Sequence, residues 1–205
     1  MFTETVWTAD ADYEGRKLAE PTGELCYLIQ KREHHLVCFG IRGKLVLAGM
    51  RNGSILSLDP RRKHIRTQSS SLPSVKMPSS VCCLRSLREW DEYFLASSMD
   101  GSIRLYDYRC MERGPVQRYE GHVNSHSRMN LAVDGCEKVV ASGGEDCCVR
   151  LWDIRSGELV FGKRVIDSVA PSVCWPESSG EGRREDHPWG VWLGTYDGFF
   201  YMDWS

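Results

Sequence analysis

The chain has 205 residues, with 26 Lys and Arg against 28 Asp and Glu and a formal net charge of −2, a length that sets a prior of one domain. This near-neutral balance excludes a general attraction to nucleic acid or to an anionic membrane, and no apolar run reaches the ~18 residues that cross a bilayer. Met1-Phe2-Thr3-Glu4-Thr5 has neither a basic start nor an apolar stretch, so the expectation is an intracellular chain (nucleus or cytoplasm) and not a secreted one.

In chain order, the first strand candidates are Thr5-Val6-Trp7 and Leu25-Cys26-Tyr27-Leu28-Ile29. Residues 1–36 read as the remnant of an earlier unit, and residues 37–205 as the regular part. The first regular core, 45–59, is a β-rich run, an Asn52-Gly53 turn pair and a second run ending at Asp59. The basic run Arg61-Arg62-Lys63-His64-Ile65-Arg66 follows without interleaved aromatics and reads as a solvated edge. Residues 67–74 form a Ser-rich surface loop, and Val81-Cys82-Cys83-Leu84 is the next strand candidate.

A second core, near 93–109, turns at Asp100-Gly101. Met129-Asn130-Leu131-Ala132-Val133 precedes the third, near 139–155, and Glu158-Leu159-Val160-Phe161 follows it. Here Cys147 stands where the other turns have Gly, which predicts a different or mildly strained turn. Residues 177–186 are a polar insert that cannot build a core. The fourth core, near 191–204, turns at Asp197-Gly198.

The cores align with one another, and their terminal aspartates fall at 59, 107, 153 and 203, in steps of 48, 46 and 50. Strand, tight turn and strand with flanking strand candidates at this period is the pattern of a β-propeller blade. The predicted fold is all-β, with about four blades. About four blades is the low end of the four to eight that propellers have, and the fourth unit is one strand short, which leads to the reading that these are the C-terminal blades of a larger ring. An intact four-blade ring is the rival. The nine cysteines are odd in number and contain no CxxC, so they read as reduced thiols with no metal site. No cofactor motif is present.

Glu120-Gly121-His122, Ser142-Gly143-Gly144-Glu145-Asp146 and Leu151-Trp152-Asp153 together resemble a WD repeat. In that family His122, Ser142, Asp146 and Trp152 would form a buried hydrogen-bonded network, which outweighs reading Ser142 and His122 as a hydrolase pair. Leu105-Tyr106-Asp107-Tyr108-Arg109 and Leu151-Trp152-Asp153-Ile154-Arg155 end in Asp-x-Arg, placing Asp and Arg on one strand face if the strand continues. These endings resemble the docking boxes of WD-repeat substrate receptors of cullin-4 RING ubiquitin ligases. Within that family the chain is most similar to the group of the fourth numbered cullin-4-associated factor.

The resemblance implies a non-catalytic receptor that joins an unidentified substrate protein to the ligase through its damage-binding adaptor. Asp107, Arg109, Asp153 and Arg155 would then touch the adaptor, with Asp59 and Arg61 as a weaker third box. That third box departs from the pattern at Leu58 and Pro60, and no Arg follows Asp203. A general WD-repeat scaffold in another intracellular complex is the alternative. Membrane and nucleic-acid partners are not expected.

Overall fold

The computed structural model describes residues 36–42, 45–58, 74–176 and 190–203. The N-terminal strand candidates, the Asp59/Arg61 box, the basic run and the insert at 177–186 lie outside the described residues. Four antiparallel sheets follow one another along the chain. The first contains β1 (Leu36–Arg42), β2 (Leu45–Met50), β3 (Ser54–Leu58) and β4 (Ser74–Lys76). The second contains β5 (Val81–Ser86), β6 (Tyr93–Ser98), β7 (Ile103–Asp107) and β8 (Gln117–Tyr119), with a 3-10 helix, Tyr108–Arg113, between the last two. The third contains β9 (Ala132–Val133), β10 (Val139–Gly143), β11 (Cys148–Asp153) and β12 (Leu159–Arg164). The fourth has three strands, β13 (Ser172–Cys174), β14 (Gly190–Thr195) and β15 (Gly198–Asp203). Each sheet pairs its strands in sequence order, which is the meander of a propeller blade.

Three cores hold the sheets face to face. Leu47 and Ile55 of the first sheet meet Leu84, Phe94 and Tyr106 of the second. Leu95, Ile103 and Tyr119 of the second meet Val140, Trp152 and Ile154 of the third. Ala141, Val149 and Leu151 of the third meet Val173, Val191 and Leu193 of the fourth. Among the described residues no such core joins the fourth sheet to the first. Among the described residues the stack is open, as in part of a propeller. Because β6 and β10 are covered on both faces, their sequences read as continuous apolar or small residues instead of alternating. Burying side chains such as Leu95 and Val140 removes apolar surface from water at about 1.5–3 kcal/mol each.

Several local expectations need adjustment. The strand expected over 129–133 contains only Ala132 and Val133. The Asn130 N–H turns away to the Pro171 carbonyl at 3.0 Å, and its side-chain carbonyl accepts the Val173 N–H at 2.8 Å, so Asn130 joins the neighbouring sheet. Cys147 lies in the turn before β11 with φ 59°, the left-handed conformation that glycine tolerates best. At the equivalent turn of the second sheet Gly101 has φ 82°, and a Cβ there would sit 2.6 Å from the His122 carbonyl oxygen. Only glycine fits that approach.

Candidate docking rim

The Asp-x-Arg endings are corners, not continued strands. β7 stops at Asp107, whose carboxylate accepts the Arg109 N–H at 2.8 Å and caps the 3-10 helix. β11 stops at Asp153, which accepts the N–H groups of Arg155 at 2.9 Å and Ser156 at 2.8 Å. A side-chain oxygen that captures the main-chain N–H two residues on ends the ladder locally. The expectation that Asp and Arg project from one strand face is corrected accordingly.

The two corners differ beyond their backbone. At the first, the Arg109 guanidinium folds back onto Asp107, with Nη2 at 2.7 Å and Nε at 3.1 Å from its two carboxylate oxygens. Its Nη1 donates to Glu92 at 3.0 Å. The hydrogen bond to Asp107 pushes the Arg109 pKa still higher, so it is a fixed cation. Asp107 itself is buried. At the second corner Asp153 is occupied by main-chain groups, and the Ser156 N–H is the chief cause that lowers its pKa. The Arg155 guanidinium lies over the indole of Trp90, 4.5 Å from the ring centroid.

The turn between β5 and β6 links the corners, because Glu92 meets Arg109 while Trp90 meets Arg155. Glu137, from the turn between β9 and β10, holds that segment. Its carboxylate accepts the N–H groups of Arg88, of Glu89 at 2.9 Å and of Trp90 at 3.4 Å. Gln117 on β8 secures the second corner by donating to the Ser156 carbonyl at 2.6 Å. Gly157 closes it at φ 74°, where a Cβ would lie 2.7 Å from the Gln117 side chain. Trp90 and Glu137 carry no mark in the repeat pattern. The one available signal was a tryptophan set in the charged run Arg88-Glu89-Trp90-Asp91.

The other predicted group lies on a different part of the third sheet. His122 Nε2 is 2.8 Å from the Gly143 carbonyl oxygen and 3.4 Å from Ser142 Oγ. Burial lowers the His122 pKa, which keeps the ring neutral. Trp152 packs edge-on to His122 with centroids 6.2 Å apart, but its indole N–H donates to Glu120 O at 2.9 Å. Asp146 pairs instead with Arg150, whose hydrogen bond lowers the Asp146 pKa to about 2. The structure therefore brings His122 and Ser142 within reach of each other, sets Trp152 edge-on beside His122 and pairs Asp146 with Arg150. Ser142 is fully buried, with its hydroxyl 3.1 Å from the Asn130 carbonyl oxygen, a position that hides a nucleophile from substrate.

The family model described as the DDB1- and CUL4-associated factor 4 beta-propeller domain matches residues 31–176. The chain belongs to that family. Human DDB1- and CUL4-associated factor 4-like protein 2 is 34% identical over 124 residues, covering 60% of this chain and 30% of the relative. Human DDB1- and CUL4-associated factor 4 is 31% identical over 136 residues, covering 65% and 26%. The chain thus matches less than a third of the length of either relative. The computationally designed Ika4 protein superposes with a TM-score of 0.61 at 16% identity over 85% of this chain and 94% of Ika4. A chain of the mitotic checkpoint complex gives the same TM-score at 20% identity over 80% of this chain and 45% of its own. Both structural likenesses speak to the propeller fold alone. Among the described residues no helix is long and apolar enough to cross a membrane.

Proposed function

We propose that this protein is a non-catalytic substrate receptor that joins a target protein to a CUL4–DDB1 ubiquitin ligase, docking through the rim of Arg109 and Arg155. One observation carries the reading beyond family membership: consecutive Asp-x-Arg corners meet the same β5–β6 turn, at Glu92 and at Trp90. Arg is a preferred interface anchor because its planar fork of donors matches carboxylates and carbonyls. Both residues are exposed, and Arg109 is already engaged by Asp107 and Glu92.

The test is retrieval of DDB1 and CUL4 by the full chain carrying Arg109→Ala and Arg155→Ala together. Loss of both ligase subunits with an unchanged thermal transition is the expected result. Arg104→Ala, a charge on β7 outside the corner, is the control. Wild-type retrieval by a folded double variant sinks the proposal. A general scaffold role would then lead, a reading favoured by the 31% identity over 84 residues to the mouse target of rapamycin complex subunit LST8, covering 41% of this chain and 25% of the relative.

A further inference from the structure

We infer that the two corners are not equivalent: Arg155, presented on the face of Trp90, receives a carboxylate of the adaptor, whereas the exposed Arg109 chiefly braces the rim. The inference rests on the docking role proposed above and assigns its chemistry.

Charge balance separates the two arginines. Arg109 already has two carboxylates against it, Asp107 at 2.7 Å and Glu92 at 3.0 Å. An incoming anion there would meet like charge and would have to displace an existing bidentate pair. Arg155 has no carboxylate within ion-pair distance among the described residues. Its neighbour Asp153 is taken up by the main-chain N–H groups of Arg155 and Ser156. The cation nevertheless does not lie loose.

Stacking on an indole uses the face of the guanidinium and leaves its in-plane N–H edge open. That edge is a fork whose spacing matches a carboxylate bidentately. Stacking also restricts the side chain before binding, which lowers the ordering cost on association. Trp90 is itself fixed from two sides. It packs against the core between the second and third sheets, and Glu137 holds its main chain. The ring is thus a fixed platform, and Arg155 above it is exposed.

The test measures equilibrium affinity of purified full-length chain for purified DDB1, with thermal unfolding in parallel. Arg155→Ala should weaken binding roughly thirtyfold or more, as expected for a desolvated charge pair that loses one member. Trp90→Ala should weaken it about tenfold at the upper end of a stacked cation's effect, and Trp90→Phe should recover most of that. Arg109→Ala should weaken binding clearly less than Arg155→Ala while lowering the unfolding temperature, since it strips buried Asp107 of its cation. Arg109→Lys, which keeps a cation beside Asp107, makes the same comparison if the alanine variant folds poorly. Equal losses from Arg109 and Arg155 variants overturn the inference and leave the docking role standing. Full affinity in the folded double variant overturns the docking role, and the inference with it.

Discussion

The main-chain N–H of Glu89 donates to the carboxylate of Glu137 at 2.9 Å, from the second sheet across to the third. Glu137 is buried and holds φ at 52°, so the third sheet commits an unusual backbone conformation to this contact. The Asp134 carboxylate supports it by accepting the N–H groups of Lys138 at 2.7 Å and Val139 at 2.8 Å. One carboxylate therefore satisfies the part-buried main-chain donors of a neighbouring blade's turn, and that turn carries Trp90 and Glu92.

Glu137→Ala should destabilise the chain by about 1–3 kcal/mol, because the N–H groups of residues 88–90 lose their acceptor in a partly buried place. Glu137→Gln keeps one oxygen acceptor and should lose less. Denaturant unfolding of the three proteins gives the ranking. Wild-type stability in the alanine variant would mean that water or another group replaces the carboxylate without cost.

The blade repeat was legible because its signals are local. Turn pairs such as Asp100-Gly101 and β-rich runs such as Val139-Val140-Ala141 obey period and turn chemistry within about fifteen residues. The outermost strand of the second sheet, Gln117–Tyr119, was not legible, since three residues give no periodicity to read. The Asp-x-Arg pairs are legible in the sequence but their geometry is not, because Asp107 and Asp153 cap the chain and end their strands. Trp90 and Arg155 meet only after two sheets have stacked, and no spacing in the sequence encodes that contact. Asp146 was grouped with His122 by motif, yet Arg150 on the adjoining strand offers a charged partner four positions away.

Acid should weaken the third sheet through Asp146 and Glu145. Arg150 holds Asp146 down to about 2. Burial raises Glu145, but the Ser125 and Ser127 side-chain hydrogen bonds and the His126 and Ser127 main-chain N–H groups outweigh it, leaving a value of about 2. Both carboxyls thus bind protons more readily in the unfolded chain. Their stabilisation is fully present above the ordinary carboxylate values near 4 and is lost as pH falls toward about 2. Asp146→Asn with Glu145→Gln should lower stability at neutral pH and flatten its fall across that window. Parallel curves for the two proteins, from urea unfolding at several pH values, would show that other carboxylates set the acid response.

The outer face of the fourth sheet presents the last expectation. Trp192 and Tyr201 are cross-strand partners on β14 and β15, their rings 4.9 Å apart, and they are 47% and 40% exposed. Phe199, opposite Gly194 on the same pair of strands, is 85% exposed. Leu193 and Val191 point the other way into the third core, so the alternation of the strands itself delivers these aromatics to the side that the described residues leave uncovered. An aromatic patch beside an edge strand binds apolar probes and promotes self-association. The chain should therefore bind a hydrophobic reporter dye while folded, and Trp192→Ser with Phe199→Ser should lower that signal and reduce association in light scattering. Phe199→Ser should move stability by only about 0.5 kcal/mol, whereas Trp192→Ser also loses the ring contact with Tyr201 and should cost about 1 kcal/mol. Unchanged dye binding in the folded double variant would place the apolar surface elsewhere on the stack.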